Sequence, residues 1–197
     1  MKSLDASLDH DTIVAFIGDI FTRRGHEEYL GEAVTMAQHM LQGATIAEAN
    51  NKSDEVIAGV LLHDIGHFIS EFGTFSMADT EDRHHEVSGA GILEAFFPAV
   101  ITECVRHHVA AKRYLCATKP TYFGRLSPAS VHSLNLQGGP MNDDEVAEFA
   151  SNPYLDEIIQ VRYLDEAGKE ADMNTHDFAH FMPMLQRLVD SHRQMLR

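Results

Sequence analysis

The stretch that most constrains this chain is Val56-Ile57-Ala58-Gly59-Val60-Leu61-Leu62, which runs without a polar side chain into His63-Asp64. Ser53, followed by Asp54 and Glu55, supplies an N-cap and an acidic first turn, so the segment reads as a helix. A helix that is apolar around nearly its whole circumference has to be central, enclosed by other elements. The rest of the sequence offers helices for that purpose. Ile13, Phe16, Ile17, Ile20 and Phe21 form a stripe of helical period that stops near Gly25. A second helix is predicted over residues 29–50, with Ala33, Met36, Ala37 and Met40 facing inward.

After a loop rich in Gly, Ser and Asp at residues 73–82, helical patterns resume over 87–97 and 98–108, with Pro98 suited to a first helical position. Ser127-Pro128 repeats that start signal. Gln137-Gly138-Gly139-Pro140 reads as a turn, and Asn142 with Glu145 as a capping arrangement for the helix that follows. No stretch alternates with period two for long enough to be a strand. The expected fold is all-α, with eight or more helices. At 197 residues the chain can bury one sizeable core, and no repeat or linker divides it, so residues 1–197 read as a single domain.

The apolar helix ends in Leu61-Leu62-His63-Asp64-Ile65-Gly66-His67. Ionisable groups placed directly after a buried run need a partner or a metal. His63 and His67 are four residues apart on one helical face, with Asp64 about 100° around from His63. Alone, a His-Asp dipeptide is an ordinary helix end. Other residues change its weight. His39 lies on the preceding helix, seven residues after Glu32; His85 opens a helix in His84-His85-Glu86; His108 closes another in Arg106-His107-His108; Asp165 follows in Val161-Arg162-Tyr163-Leu164-Asp165. Four imidazoles and two carboxylates from separate helices are enough for two metal ions sharing Asp64, and these ligand types suit iron or manganese alike.

Charge narrows the partners. Lys and Arg number 15 against 30 Asp and Glu, a formal charge of -15, and the basic residues are scattered. Such a chain repels a phosphate backbone and an anionic membrane surface, which argues against nucleic acid and membranes as partners. No apolar run approaches a membrane span, and the acidic first residues lack a signal-peptide pattern, so a cytoplasmic location is expected. Cys104 and Cys116 form no C-x-x-C motif and read as reduced thiols without a role.

The H…HD…D pattern resembles the HD-domain superfamily, largely metal-dependent phosphohydrolases, and the two intervening histidines match its dinuclear members. The likeness is closer to the small HD-domain mixed-valent diiron oxygenases that cleave the carbon–phosphorus bond of 1-hydroxy-2-aminoethylphosphonates. It is carried by Tyr29-Leu30-Gly31-Glu32-Ala33, by Leu61 through His67, by His85-Glu86 with Gly89-Ala90, and by His108-Val109-Ala110-Ala111-Lys112-Arg113-Tyr114-Leu115. Gln137-Gly138-Gly139-Pro140-Met141 and Asp165-Glu166-Ala167-Gly168-Lys169 complete it. The segment from His108 to Leu115 is the most specific of these.

The resemblance implies an HD-domain helical bundle with two iron ions, Fe(II) and Fe(III), and O2 as co-substrate. One iron would be held by His39, His63, Asp64 and Asp165, the other by Asp64, His85 and His108. Tyr29 would be the phenolate that occupies an open position on the second iron until substrate displaces it. His84 and His107 are left as surface or outer residues. The implied substrate is a small zwitterionic organophosphonate, oxidised at the carbon bound to phosphorus to release phosphate and either glycine or, from the trimethylammonio form, glycine betaine. The resemblance leans towards the trimethylammonio form.

An anion entering a chain of this charge needs local cations. Lys112, one turn beyond His108, and Arg162, three residues before Asp165, are placed to reach a phosphonate. The resemblance adds His67 and Ser130 to that pocket, with His67 and Lys112 beside the reacting atoms, and gives Glu32 to the ammonium. Phe68, Phe72, Phe75 and Tyr29 could offer aromatic faces to a trimethylammonium group. Two other classes compete: an HD phosphohydrolase, which would need the metals but not Tyr29, Glu32 or O2, and a non-catalytic ligand-binding module. The sequence leaves the degree of N-methylation and the oligomeric state open.

Overall fold

The Ser53 hydroxyl accepts a hydrogen bond from Val56 N at 3.4 Å and starts α3, Asp54–Leu62, whose residues from Val56 onward are all buried. A computed structural model describes residues 8–29, 31–69 and 80–197. Among these, α1 (Ile13–Arg24) is followed by α2 (Met36–Ala49), α3, α4 (Ile65–Ile69), α5 (His85–Leu93) and α6 (Ala99–Thr118). A 3-10 turn at Phe123–Arg125 leads to α7 (Pro128–Leu136), α8 (Asp143–Phe149), α9 (Leu155–Ala167) and α10 (Phe178–Met195). No strand occurs among the described residues. Leu30, Phe72, Phe75 and most of the 73–82 loop lie outside them.

The central helix is enclosed as its composition demands: α3 packs against α2, α6, α9 and α10. Val60, Leu61 and Leu62 are fully buried, each contributing about 1.5–3 kcal/mol over exposure. Gly59 permits the close approach of its neighbours, since a Cβ there would lie 3.0 Å from Cys104 Cβ and 3.1 Å from Val161 Cγ2. Cys104 is a buried, unpaired thiol in this contact and Cys116 is half-buried and unpaired.

Several boundaries differ from the sequence expectation. The second helix begins at Met36, not near residue 29. Thr35 and Gln38 form a reciprocal capping box there. Ahead of it, Glu32 N donates to Tyr29 O at 2.7 Å around Gly31, whose φ of 70° suits a tight turn and not a helix. Glu32 therefore shares no helical face with His39, and Ala33 is exposed while Val34 is buried. α3 stops at Leu62, and a turn at His63-Asp64 separates it from α4. Pro98 is the N-cap of α6 and not its first residue, and His108 lies mid-helix because α6 continues to Thr118. The caps at Ser53, Ser127 and Asn142 are those expected, the last with both bonds of a capping box.

Candidate metal centre and substrate cleft

The turn between α3 and α4 projects Asp64 into the middle of a buried group of imidazoles. Its two oxygens face different sets. Oδ2 lies 3.3 Å from His63 Nε2 and 3.7 Å from His39 Nε2, while Oδ1 lies 3.2 Å from His85 Nε2 and 3.4 Å from His108 Nε2. Asp165, from the last turn of α9, closes the first set at 3.4 Å from His39 Nε2 and 3.8 Å from His63 Nε2. The structure thus brings together all six residues that the sequence pattern nominates, drawn from α2, the α3–α4 turn, α5, α6 and α9.

The donor chemistry of this group fits a cation. His39 Nδ1 donates to Gly168 O at 2.9 Å, His63 Nδ1 to Val60 O at 2.8 Å and His108 Nδ1 to Val105 O at 2.7 Å. A carbonyl can only accept, so each neutral ring carries its proton on Nδ1 and turns the Nε2 lone pair inward. The inward Nε2 atoms crowd one another and the carboxylates: His39 Nε2 is 3.1 Å from His63 Nε2, and the His108 Nε2 lone pair faces His85 Nε2 at 3.1 Å. Asp165 Oδ1 is buried without a hydrogen-bond partner. Lone pairs converging in a dry site repel unless a positive ion lies between them.

The protonation of the metal-free group shows the same demand. Burial opposes charge on His63, but Asp64 and Asp165 outweigh it and raise that imidazole to about 9, so a proton there stands in for a metal. Burial pushes the Asp64 and Asp165 carboxyls up; His63 and the other imidazoles around Asp64, and Arg162 beside Asp165, hold both well below the usual carboxylate range. Burial pushes His108 down, and burial with His85 alongside pushes His67 well down. Both shifts favour the neutral ring, the form that can offer a lone pair to a metal.

A cleft of about 710 Å³, counted to its open mouth, reaches this group. That is ample for a small organic ligand. Tyr29, Glu32, His67, Lys112, Ser130 and Arg162 all line it. The half-buried Tyr29 ring stacks on His39, centroids 4.0 Å apart, which sets the ring beside the first group of imidazoles and not beside the second, where the resemblance implies it. His67 stacks on His85 at 3.9 Å, its Nε2 3.9 Å from Asp64 Oδ1. Lys112 is buried and donates to Ser133 Oγ at 2.6 Å; burial, with repulsion from Arg162, lowers its ammonium to about 7. Arg162 donates through Nε to Tyr122 Oη at 2.7 Å and pairs with Asp165 and Glu166. Burial opposes its charge, but Asp165 holds it firmly cationic.

A model of the HD domain matches residues 36–126. A 1-hydroxy-2-(trimethylamino)ethylphosphonate dioxygenase (glycine-betaine-forming) of Leisingera caerulea is 71% identical over 193 residues, 98% of each chain. The chain belongs to the HD-domain phosphonate dioxygenases. A hydroxymethylphosphonate dioxygenase of Gimesia maris, 39% identical over 156 residues, covers 79% of this chain and 78% of its own. Membership of this dioxygenase family makes the protein an oxygenase, and the His/Asp groups give it sites able to hold metal.

Within this HD-domain dioxygenase, sequence reasoning missed a polar network at the cleft wall centred on Lys169, which lines the cleft. Lys169 donates to Ser130 Oγ at 2.9 Å and to Glu166 at 3.3 Å, and its Nζ lies 3.8 Å from Glu32 Oε1. Ser127 donates to Glu32 Oε1 at 2.5 Å. The Arg162 to Glu166 spacing of four residues was a visible helical pair. Lys169 gave no such signal, because α9 ends at Ala167 and the turn at Gly168 decides where the ammonium goes. His84, 69% exposed, and His107, paired with Glu103, stand outside the convergent group, as expected.

Proposed function

We propose that the protein uses O2 to cleave the carbon–phosphorus bond of (R)-1-hydroxy-2-(trimethylammonio)ethylphosphonate, giving glycine betaine and phosphate. The observation that carries this reading is near-full-length similarity to a glycine-betaine-forming dioxygenase, joined to a buried carboxylate that faces two separate sets of imidazoles. Hydroxyphosphonate plus O2 balances carboxylic acid plus phosphate, with no further reductant.

Two irons would be held by His39, His63, Asp64 and Asp165 on one side and by Asp64, His85 and His108 on the other. Bound there, a mixed-valent pair would supply Lewis acidity towards the substrate oxygens and one-electron chemistry with O2. The protein's own groups do the rest. Arg162, fixed from both sides by Tyr122 and Asp165, presents a permanent positive charge, and Lys112 adds an ammonium that gives up its charge as pH climbs through about 7; both are suited to phosphonate oxygens. Ser130 and the neutral His67 add hydrogen-bonding groups at the same end. Tyr29, at the cleft wall, is the residue that substrate would displace from the centre.

Glu32 lies at the cationic end. Its Oε1 is already engaged by Ser127 and close to Lys169. A trimethylammonium group needs no hydrogen bond from it, only charge and an aromatic face such as Tyr29. That pattern favours the fully methylated substrate over the primary amine. The unpaired cysteines suit a reducing, cytoplasmic compartment.

The test is phosphate release from the amino, methylamino and trimethylammonio hydroxyphosphonates, with and without oxygen. Oxygen-dependent release, fastest for the trimethylammonio compound, is expected. Undiminished release without oxygen would overturn the oxygenase reading in favour of a phosphohydrolase.

A further inference from the structure

The segment that leads from α9 to α10 carries Gly168 and Lys169, and it runs as a strap along α2, held at intervals of three residues. His39 grips Gly168 O at 2.9 Å. The Gln42 amide donates to Glu170 O at 2.7 Å and accepts from Glu170 N at 2.9 Å. Thr45 Oγ1 accepts from His176 N at 3.2 Å. At the outer end, Glu48 meets two imidazoles at once. His180 Nε2 is 3.0 Å from each of its carboxylate oxygens, and His176 Nε2 is 3.4 Å from Oε2.

We propose that Glu48, His176 and His180 form a second, surface site for a divalent borderline ion of the zinc type, which clamps the strap to α2. Among the described residues this is a group of potential ligands well apart from the buried centre, with all ligand atoms within 4.8 Å of one another. The rings of His176 and His180 stack at 3.9 Å with an angle of 12° between them. Protonating both sets two like charges face to face, whereas an ion accepts both lone pairs and the carboxylate together. His180 is fixed by the start of α10, where its N–H caps onto Asp177 Oδ1 at 3.0 Å, and His176 by Thr45. All three side chains are 39–49% exposed, so an ion enters from solvent and keeps water on its open position. An exposed ion pair alone gains little here.

The clamp has a consequence for the buried centre, because the same strap supplies the carbonyl that sets the His39 tautomer and the lysine in the cleft wall. The experiment uses full-length, iron-loaded protein equilibrated with zinc chloride, with zinc and iron counted together. One zinc beyond the iron is expected, at unchanged iron content. His180→Ala and Glu48→Gln should each weaken zinc binding by at least the roughly tenfold typical of losing even an outer-shell partner, and keep their iron. Zinc should also slow amide exchange across residues 168–177 in the wild type and not in the variants. No zinc beyond the iron, zinc that enters only as iron leaves, wild-type affinity in both variants, or unchanged strap exchange would each overturn the proposal.

Discussion

The Nε2 atoms of His39 and His63 stand 3.1 Å apart, although the Nδ1 of each ring is committed to a backbone carbonyl. Without metal, a proton held on His63, raised to about 9, fills that gap; a bound cation takes both Nε2 lone pairs and the two carboxylates together, so the bound cations become part of the folded state's stability. Stripping metal with a chelator is expected to abolish oxygen-dependent phosphate release and to lower the thermal midpoint by several degrees, since each kcal/mol is roughly 2–4 °C at this size. Calorimetry before and after ferrous iron is restored measures it. A midpoint indifferent to metal would contradict the arrangement.

Lys112 ties stability to function in opposite directions. Its ammonium is lowered from 10.5 to about 7, so the folded protein gives up that proton before the unfolded chain does. The group therefore destabilises the fold below pH 7, and stability from this source rises between about pH 7 and 10.5. Lys112→Met should be more stable near neutral pH by about 0.5–2 kcal/mol, yet bind phosphonate more weakly. Because the charge is lost as pH climbs through about 7, KM should rise above that pH in the wild type and much less in the variant. Denaturation and steady-state rates across pH 6–9 read both effects.

Glu32→Gln isolates the cationic end of the cleft. It should reduce kcat/KM for trimethylammonio and amino substrates by about tenfold, the equivalent of 1.4 kcal/mol. Hydroxymethylphosphonate has no ammonium, and any turnover of it should change little. Equal losses on all three would show that Glu32 shapes the cleft and does not select for charge.

Gly66→Ala tests how α4 is held against α5. A Cβ there would collide with the His85 carbonyl and lie 2.9 Å from Gly89 N, backbone that cannot step aside. The variant should lose about 1–3 kcal/mol of stability and, with His85 displaced, bind iron in the His85–His108 half most weakly. Metal content and unfolding curves check this; native iron content at full stability would contradict it.

The sequence by itself determined the helical class, the burial of α3 and the caps at Ser53, Ser127 and Asn142, because these rest on local periodicity and hydrogen bonds within a few residues. It also singled out His63 and Asp64, whose place directly after an apolar run carries a desolvation cost, and nominated His39, His85, His108 and Asp165 through the H…HD…D pattern and the family resemblance. Local pattern misplaced the start of α2, where the positive φ at Gly31 and the Thr35 cap outweigh the helical residues before them. Only the tertiary structure decided that Asp64 turns one oxygen to each pair of imidazoles, that Tyr29 lies on His39, and that Lys169 backs Ser130 and Glu32. Those relations join residues as much as 137 positions apart in the chain, from Glu32 to Lys169, and depend on how four helices cross around α3, which no local pattern encodes.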